Sequence, residues 1–355
     1  MNLPVLWFLV IAILWTGYLV LEGFDFGVGM LLRPFARDET ERRMLLRTIG
    51  PLWDGNEVWL ITAGGATFAA FPEWYATMFS GFYLPLLLIL VALIVRICAL
   101  EWRGKINDPA WRNRADWAHT IGAWVPAVLW GVAFANLVQG MQIETIDGAA
   151  QLTGGFWSLL TPFTLLGGIT TAALFLTHGA VFLALKTDGE LRQRAGRLAR
   201  RLSVVSLLIG SGWAVWAQQA FSANGFSWIP LVTAALALVG VVAATRAGRE
   251  GWAFTLNAIA IGAAVALIFA VMYPNVMPSS LNPRWSLTIA GAASTQATLT
   301  VMSIVALIMV PVVLVYQGWT YWVFRQRLTA AQIGPPEGLH PWREQAFQSA
   351  KTEAT

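Results

Sequence analysis

Nine runs of mainly apolar residues constrain this chain more than any other feature of its sequence. A helix that crosses a bilayer needs about 20 such residues. Of the 355 residues, 57% are hydrophobic and only 12% are charged, about half the charged share of a soluble domain. This composition excludes a disordered chain, a nucleic-acid-binding module and a soluble enzyme, and it predicts an all-α polytopic membrane protein. The predicted spans are Pro4–Leu32, Pro51–Phe71, Ala76–Leu100, Trp117–Met141, Phe156–Leu185, Ser203–Phe221, Ser227–Thr245, Trp252–Tyr273 and Ala297–Phe324.

The basic residues are distributed unevenly between the loops. Lys and Arg stay on the cytoplasmic side of membrane proteins. Of the 23 basic residues, 21 fall in alternate loops and the C-terminal segment, whereas Arg284 lies in an opposite loop and Arg96 lies inside the third span. This asymmetry predicts nine transmembrane helices with the N-terminus outside and the C-terminus in the cytoplasm. It also explains the net charge of +4 without a nucleic-acid partner.

Two short sequences favour an internal repeat. Leu21-Glu22-Gly23-Phe24 and Thr177-His178-Gly179-Ala180 each precede a loop that is first acidic and then rich in arginine. Chance similarity between two apolar helices is the alternative. The repeat predicts two four-helix bundles plus one extra helix. The predicted units are 1–141 and 142–273, followed by an irregular or partly re-entrant external loop with the ninth helix (274–325) and a cytoplasmic tail (326–355).

Carboxylates inside the spans are the main functional candidates, because a charge in hydrocarbon is costly. Glu22 and Asp25 are three residues apart, as are Asp54 and Glu57, so each pair shares one helix face. All four lie in the half of their spans next to the basic loops. Chains of acidic residues carry protons in pumps, and this placement therefore predicts a proton uptake route from the cytoplasm.

The alternative is a structural ion-pair cluster. Arg96 is predicted to pair with Glu101, Glu57 or Asp54 and to fix helix packing. The spans nevertheless contain more carboxylates than arginines, and carboxylates left unpaired are able to carry protons.

The histidines and the cysteine give weaker signals. His119 and His178 lie on different helices and are predicted to be satisfied polar side chains rather than metal or haem ligands, since no cysteine cluster accompanies them. Cys98 is predicted to be a small buried hydrophobe. Trp53, Arg96, Glu101 and the two histidines are therefore assigned a structural or tuning role.

Four stretches together resemble subunit II of the cytochrome bd quinol oxidases. They are Glu22–Met30 (EGFDFGVGM), Trp53–Gly65 (WDGNEVWLITAGG), Asn136–Gly140 (NLVQG) and Pro274–Ser280 (PNVMPSS). The second stretch is long and specific. The resemblance covers the chain from the first span to the loop before the ninth.

The resemblance implies a haem-free subunit that pairs with a haem-bearing subunit I in the bacterial cytoplasmic membrane. Subunit I would hold two b-type haems, one haem d and the quinol site. The complex would oxidise quinol, reduce O2 to water and build a proton gradient from cytoplasmic protons. This chain would have no catalytic centre and no metal, although it could bind a quinone or a lipid, and small accessory subunits could join the complex.

The resemblance also assigns roles to individual residues. The motif aspartate of the proton path corresponds to Asp54, and Glu22 stands where the family often has Asp. Asp25, Glu57 and Asn56 complete the predicted proton path. A proton-coupled secondary transporter and a purely structural membrane partner are the alternative functions.

Overall fold

Long apolar helices make up most of the fold. The computed structural model describes residues 2–146, 148–335 and 338–339. Its helices are α1 (Leu3–Phe35), α2 (Glu39–Ile49), α3 (Trp53–Ala70), α4 (Pro72–Gly81), α5 (Tyr83–Trp102), α6 (Pro109–Gln139), α7 (Pro162–Lys186), α8 (Gly189–Phe221), α9 (Trp228–Arg246), α10 (Glu250–Met272) and α11 (Gln296–Val323). Two short antiparallel pairs join β1 (Ile143–Ile146) to β2 (Ala149–Leu152) and β3 (Asn275–Met277) to β4 (Leu287–Thr288).

Eight helices in the described part of the chain are long and apolar enough to cross a membrane, namely α1 and α5 to α11. The second predicted span corresponds to α3, whose first turns contain Asp54, Asn56 and Glu57 and keep it outside this group. Near the start of α3, Asn56 Oδ1 accepts a hydrogen bond from Tyr321, close to the end of α11. At its other end, the Ala70 carbonyl accepts from Ser294 N at 2.8 Å, just before α11 begins. The two helices therefore run antiparallel through the same depth.

The loop expected after the first span contains the amphipathic helix α2. The Asp38 side chain caps this helix by accepting from Glu41 N at 2.8 Å. Its apolar face, which includes Met44, Leu45 and Ile49, is buried. A capping Asp followed three residues later by Glu is a helix-start signal, so α2 was detectable from the sequence.

Two other boundaries also differ from the prediction. The third predicted span, Ala76–Leu100, is divided by a break at Phe82: its first residues belong to a separate helix, α4, and the rest belong to α5. Helix α8 begins at Gly189, well before the expected Ser203, because its amphipathic first turns bury Leu191, Ala195 and Ala199 on one side. Apolar runs mark only the part of a helix that lies in hydrocarbon.

Helix α1 lies at the centre of the bundle and packs against α3, α6, α7 and α10. Its backbone touches that of α7, since a Cβ built on Gly27 would lie 2.0 Å from the Phe175 carbonyl oxygen and one on Gly179 would lie 2.3 Å from the Gly27 carbonyl carbon. Glycine allows such close approach of helices within membranes. Helices α7, α8, α9 and α10 pack in sequence around one another.

The loop between α10 and α11 is held by short strands. β3 pairs with β4, with Asn275 opposite Thr288, and Ser279 Oγ donates to the Ile143 carbonyl at 2.8 Å. This loop therefore packs on the β1–β2 hairpin. At the other end of the bundle, Leu328 N donates to the Lys186 carbonyl at 2.8 Å. Most of the predicted tail, residues 340–355 with His340, Arg343 and Lys351, lies outside the described residues.

Candidate functional site

Three helices bring a buried ion cluster together. Glu22 of α1, Glu57 of α3 and Arg96 of α5 meet through the Arg96 guanidinium, whose Nη2 donates to Glu22 and, at 3.2 Å, to Glu57 Oε2. The Arg96 side chain is 1% exposed and that of Glu57 is 18% exposed. The guanidinium also lies 4.5 Å from the centre of the Phe26 ring. A charged group this well buried requires such partners.

Asp25 lies one turn beyond Glu22 on α1 and contacts α3. Asn56 Nδ2 donates to Asp25 Oδ2 at 2.7 Å. The other carboxylate oxygen of Asp25 and Oε2 of Glu22 are buried without a hydrogen-bond partner among the described residues. Each of these two buried carboxylates therefore has one oxygen that no neighbouring donor satisfies.

Helix α11 extends this network in a way that the sequence analysis missed. Tyr321 OH donates to Asn56 Oδ1 at 2.7 Å, and Gln317 Nε2 donates to the same oxygen at 3.3 Å. Trp59 Nε1 in turn donates to Gln317 Oε1 at 2.8 Å. The available signal was Gln317 itself, an amide four residues before Tyr321 in the mainly apolar second half of α11. Asn56 therefore bridges α1 and α11.

The remaining predicted site residues occupy three different environments. Asp54 and Glu101 are exposed and Trp53 is partly buried. Of the three alternative partners predicted for Arg96, Glu57 is the one that it contacts, and its second partner is Glu22 of the neighbouring α1. His119 is buried, with Nδ1 3.0 Å from the Arg96 carbonyl oxygen.

His178 lies apart from this cluster. Its ring stacks on Phe254, with the ring centres 4.4 Å apart, and meets Phe24 edge-on at 6.0 Å. Both its nitrogens lack a hydrogen-bond partner in the described part of the protein. Among the described residues, no three or more His, Cys, Asp or Glu side chains are placed so that together they could hold a metal ion.

A second ion cluster ties α2 to α5 and α6 at the basic end of the bundle. Arg103 donates to Asp116 at 2.5 Å and to both carboxylate oxygens of Glu39 at 2.8 and 2.9 Å. Burial alone would raise the pKa of Glu39, but these bonds and the charges of Arg112 and Arg42 outweigh it, so the pKa lies below its ordinary value. This second cluster anchors the surface helix α2 to α5 and α6.

Comparison with known proteins identifies the family. Residues 3–324 match the family described as cytochrome bd terminal oxidase subunit II. The chain belongs to this family. The resemblance carried by the sequence motifs is thereby confirmed. This subunit II is a multi-pass membrane component of an oxidoreductase complex, a cytochrome bd quinol oxidase, and its partner is subunit I.

Individual relatives match along nearly their whole length. Subunit 2 of the cytochrome bd ubiquinol oxidase of Bacillus subtilis is 39% identical over 332 residues, covering 92% of this chain and 97% of the relative. Subunit 2 of the cytochrome bd-I ubiquinol oxidase of Escherichia coli is 37% identical over 364 residues, covering 92% and 96%. The fold matches a chain of the bd oxidase from Geobacillus thermodenitrificans with a TM-score of 0.74 at 19% identity, covering 91% of this chain and 99% of that one.

Proposed function

We propose that this subunit II carries part of the proton uptake path of the oxidase and stabilises a haem-bearing subunit I, without a haem ligand or catalytic centre of its own. The complex would oxidise quinol, reduce O2 to water and build a proton gradient across the bacterial cytoplasmic membrane. The observation that carries the proposal is the buried cluster of Glu22, Asp25 and Glu57 around Arg96.

The charge balance of this cluster supports proton handling. Three carboxylates share one guanidinium in a largely buried cluster, with only Glu57 partly exposed. An ionised carboxylate without a counter-charge is strongly disfavoured in such surroundings. A set of this kind holds exchangeable protons, whereas a purely structural pair would need only one carboxylate.

The depth of the residues gives the path a direction. Asp54 is exposed near the start of α3, Glu57 follows one turn later and is partly exposed, and Glu22 and Asp25 are fully buried. The start of α3 lies at the same end of the bundle as the basic loops, which favours the cytoplasmic side. The proposed order from the cytoplasm is Asp54, then Glu57 and Asp25, and last Glu22, which lies one turn further from the cytoplasmic end of α1; Asn56 holds Asp25 in place.

Two features support a role in stabilising the partner subunit. Helix α11 exposes nearly its whole surface, and α5 exposes Leu84, Leu88 and Val91 on one side. These apolar faces must be covered by lipid or by another membrane protein. We further propose that α3 is the ninth crossing, which is supported by its antiparallel alignment with α11.

The histidines are proposed to be structural. The ring of His178 is packed against Phe254 and Phe24, and the Nδ1 atom of His119 faces the backbone of α5. Both rings are buried inside the helix bundle, so neither presents a ring nitrogen at a surface that a haem of subunit I could reach. The apolar groove of about 550 Å³ between α3, α4, α5 and α6 is a better place for a quinone or lipid tail.

Replacing Asp25 tests the proposal in the two-subunit complex. Asp25→Asn keeps the size of the side chain and one oxygen that accepts hydrogen bonds, but it removes the exchangeable proton. We expect quinol oxidase turnover to fall by roughly 100-fold, the lower end of what a positioned proton-transfer group contributes, while haem absorbance per complex is unchanged.

The control is Glu190→Gln, which removes an exposed carboxylate outside the cluster. A structural role alone predicts the opposite pattern, in which Asp25→Asn lowers the yield of complex but leaves turnover per haem intact. That result would reject the proton path and retain the structural alternative, which the Glu22–Arg96–Glu57 bonds between three helices also favour.

A further inference from the structure

A cavity of about 430 Å³ lies at the basic end of the four helices α7 to α10, away from the carboxylate cluster. Its walls come from the end of α7, the first turns of α8, the end of α9 and the start of α10. Four arginines and two carboxylates contribute to the lining, namely Arg192, Arg197, Arg200, Arg249, Asp188 and Glu250. A volume of this size is within the range of small-molecule sites, roughly 300–1,000 Å³.

The carboxylates of the cavity are already neutralised. Glu250 accepts from Arg192 Nε at 2.8 Å and from Arg327 Nη2 at 3.2 Å. Asp188 lies 3.8 Å from Arg192. The cavity therefore retains positive charge from its other arginines, and this charge is concentrated at Arg197, Arg200 and Arg249.

Two of these arginines have no internal partner. Arg200 donates through Nε to the Thr245 carbonyl at 3.0 Å, whereas the side chains of Arg197 and Arg249 make no hydrogen bond or ion pair within the described part of the chain. Both side chains are exposed and line the same cavity, one from α8 and one from the residue before α10, so an anion in the cavity can bind them. Guanidinium groups form paired, charge-assisted hydrogen bonds with phosphate.

A glycine on the same wall gives independent support. Gly189 and Gly248 have positive φ angles of 70° and 68°, and the turn at each position requires glycine. Gly196, in contrast, lies inside α8, where glycine weakens a helix. A Cβ on Gly196 would meet nothing within 4 Å, so close helix packing does not account for it. Gly196 therefore borders open space on the cavity wall, next to Arg197.

We propose that this cavity binds the phosphate group of an organic phosphate. The apolar floor formed by Val181, Ala184 and Ala253 would contact the organic part. Two sources share this chemistry, namely the headgroup of an anionic phospholipid in the cytoplasmic leaflet and a soluble phosphate compound. Basic pockets between membrane helices bind anionic headgroups in this way.

The test uses the intact two-subunit oxidase in two kinds of lipid nanodisc. In nanodiscs of phosphatidylcholine alone, binding of inorganic phosphate is measured by calorimetry. In nanodiscs that also contain phosphatidylglycerol, native mass spectrometry counts the phosphatidylglycerol molecules that stay bound. Phosphate binding without retained phosphatidylglycerol indicates a soluble ligand, and retained phosphatidylglycerol indicates a lipid headgroup. Either result supports the proposal.

Two variants and one control locate the binding. The double variant Arg197→Gln with Arg249→Gln removes the unpartnered charges, and Gly196→Leu places an apolar side chain in the cavity without changing its charge. Each is expected to weaken binding by about tenfold or more. Arg201→Gln, which removes an exposed guanidinium of α8 outside the lining, is expected to bind like the wild type. The proposal is overturned if neither probe binds, or if Arg201→Gln weakens binding as much as the cavity variants.

Discussion

At the scale of single residues, Arg96 balances two carboxylates that would otherwise be buried without a counter-charge. Breaking a buried ion pair on one side costs about 3–5 kcal/mol. We therefore expect Arg96→Leu to prevent assembly of the complex or to lower its thermal unfolding temperature strongly. Adding Glu22→Gln to Arg96→Leu removes the uncompensated charge and is expected to restore part of the stability. Equal instability of the single and double variants would show that Arg96 does not act through Glu22.

The carboxylates of the proposed path differ in how much each one limits proton transfer. Asp54 is exposed and Glu57 is partly exposed, so water can reach Glu57 even without Asp54. We expect Asp54→Asn to lower quinol oxidase turnover less than Asp25→Asn, with haem spectra nearly unchanged in both. Steady-state turnover of the two variants at equal haem content makes the comparison. A larger loss in the Asp54 variant would place the limiting step at the surface.

Sequence spacing predicted which carboxylates share a helix face, but it could not show what that face meets. Residues three apart lie on one side of a helix in any context. The bond between Asn56 and Tyr321 joins positions separated by 265 residues, and the pairing of Arg96 with Glu22 depends on which helices become neighbours. Such contacts follow from packing of whole elements and have no local periodic signal.

At the scale of elements, the crossing of α1 and α7 depends on contact between their backbones. Gly27→Ala would place a methyl group 2.0 Å from the Phe175 carbonyl, and overpacking of this kind typically costs about 1–3 kcal/mol. We expect a lower unfolding temperature and a lower yield of complex. Gly212→Ala on α8 is the matched control, because a Cβ there meets nothing within 4 Å. An equal loss in the control would mean that helix propensity, not the crossing, decides the outcome.

Helix α2 is attached through charge, which gives its attachment a pH dependence. The pKa of Glu39 lies below its ordinary 4.5, so the ionised form stabilises the folded state. That contribution is complete above about pH 4.5 and is lost as pH falls through the lower pKa of the folded state. We expect Glu39→Gln to lower the unfolding temperature at neutral pH. The unfolding temperature of this variant is also expected to fall less than that of the wild type as the pH is lowered.

Thermal unfolding of the solubilised complex, followed from neutral to acidic pH, measures this difference between wild type and Glu39→Gln. The control is Glu190→Gln, whose exposed pair with Arg37 contributes little, as exposed ion pairs generally do. Parallel pH curves for wild type and Glu39→Gln would show that the attachment of α2 does not depend on the charge of Glu39.

At the scale of the whole molecule, the distribution of basic residues and the path of α3 together determine the predicted membrane topology. If α3 crosses the membrane, the loop after it lies outside and every arginine-rich loop lies in the cytoplasm. If α3 does not cross, the basic residues before α3 and those from Arg103 to Arg114 must lie on opposite sides of the membrane, against the usual preference. In the structure, Thr77 of α4 donates to Ala150 of the β1–β2 hairpin at 3.3 Å, so both segments lie at the same end of the bundle.

Cysteine labelling decides between eight and nine crossings. Single cysteines replace Glu73 after α3, Lys105 after α5 and Glu144 in the hairpin, in a Cys98→Ser background. A membrane-impermeant maleimide applied to spheroplasts is expected to label the first and third positions, and Lys105→Cys only after the membrane is opened, because nine crossings put residues 73 and 144 outside. If Glu73→Cys is protected while Lys105→Cys is labelled, then α3 does not cross the membrane. The proposed path from Asp54 would then no longer start at a helix end in the cytoplasm.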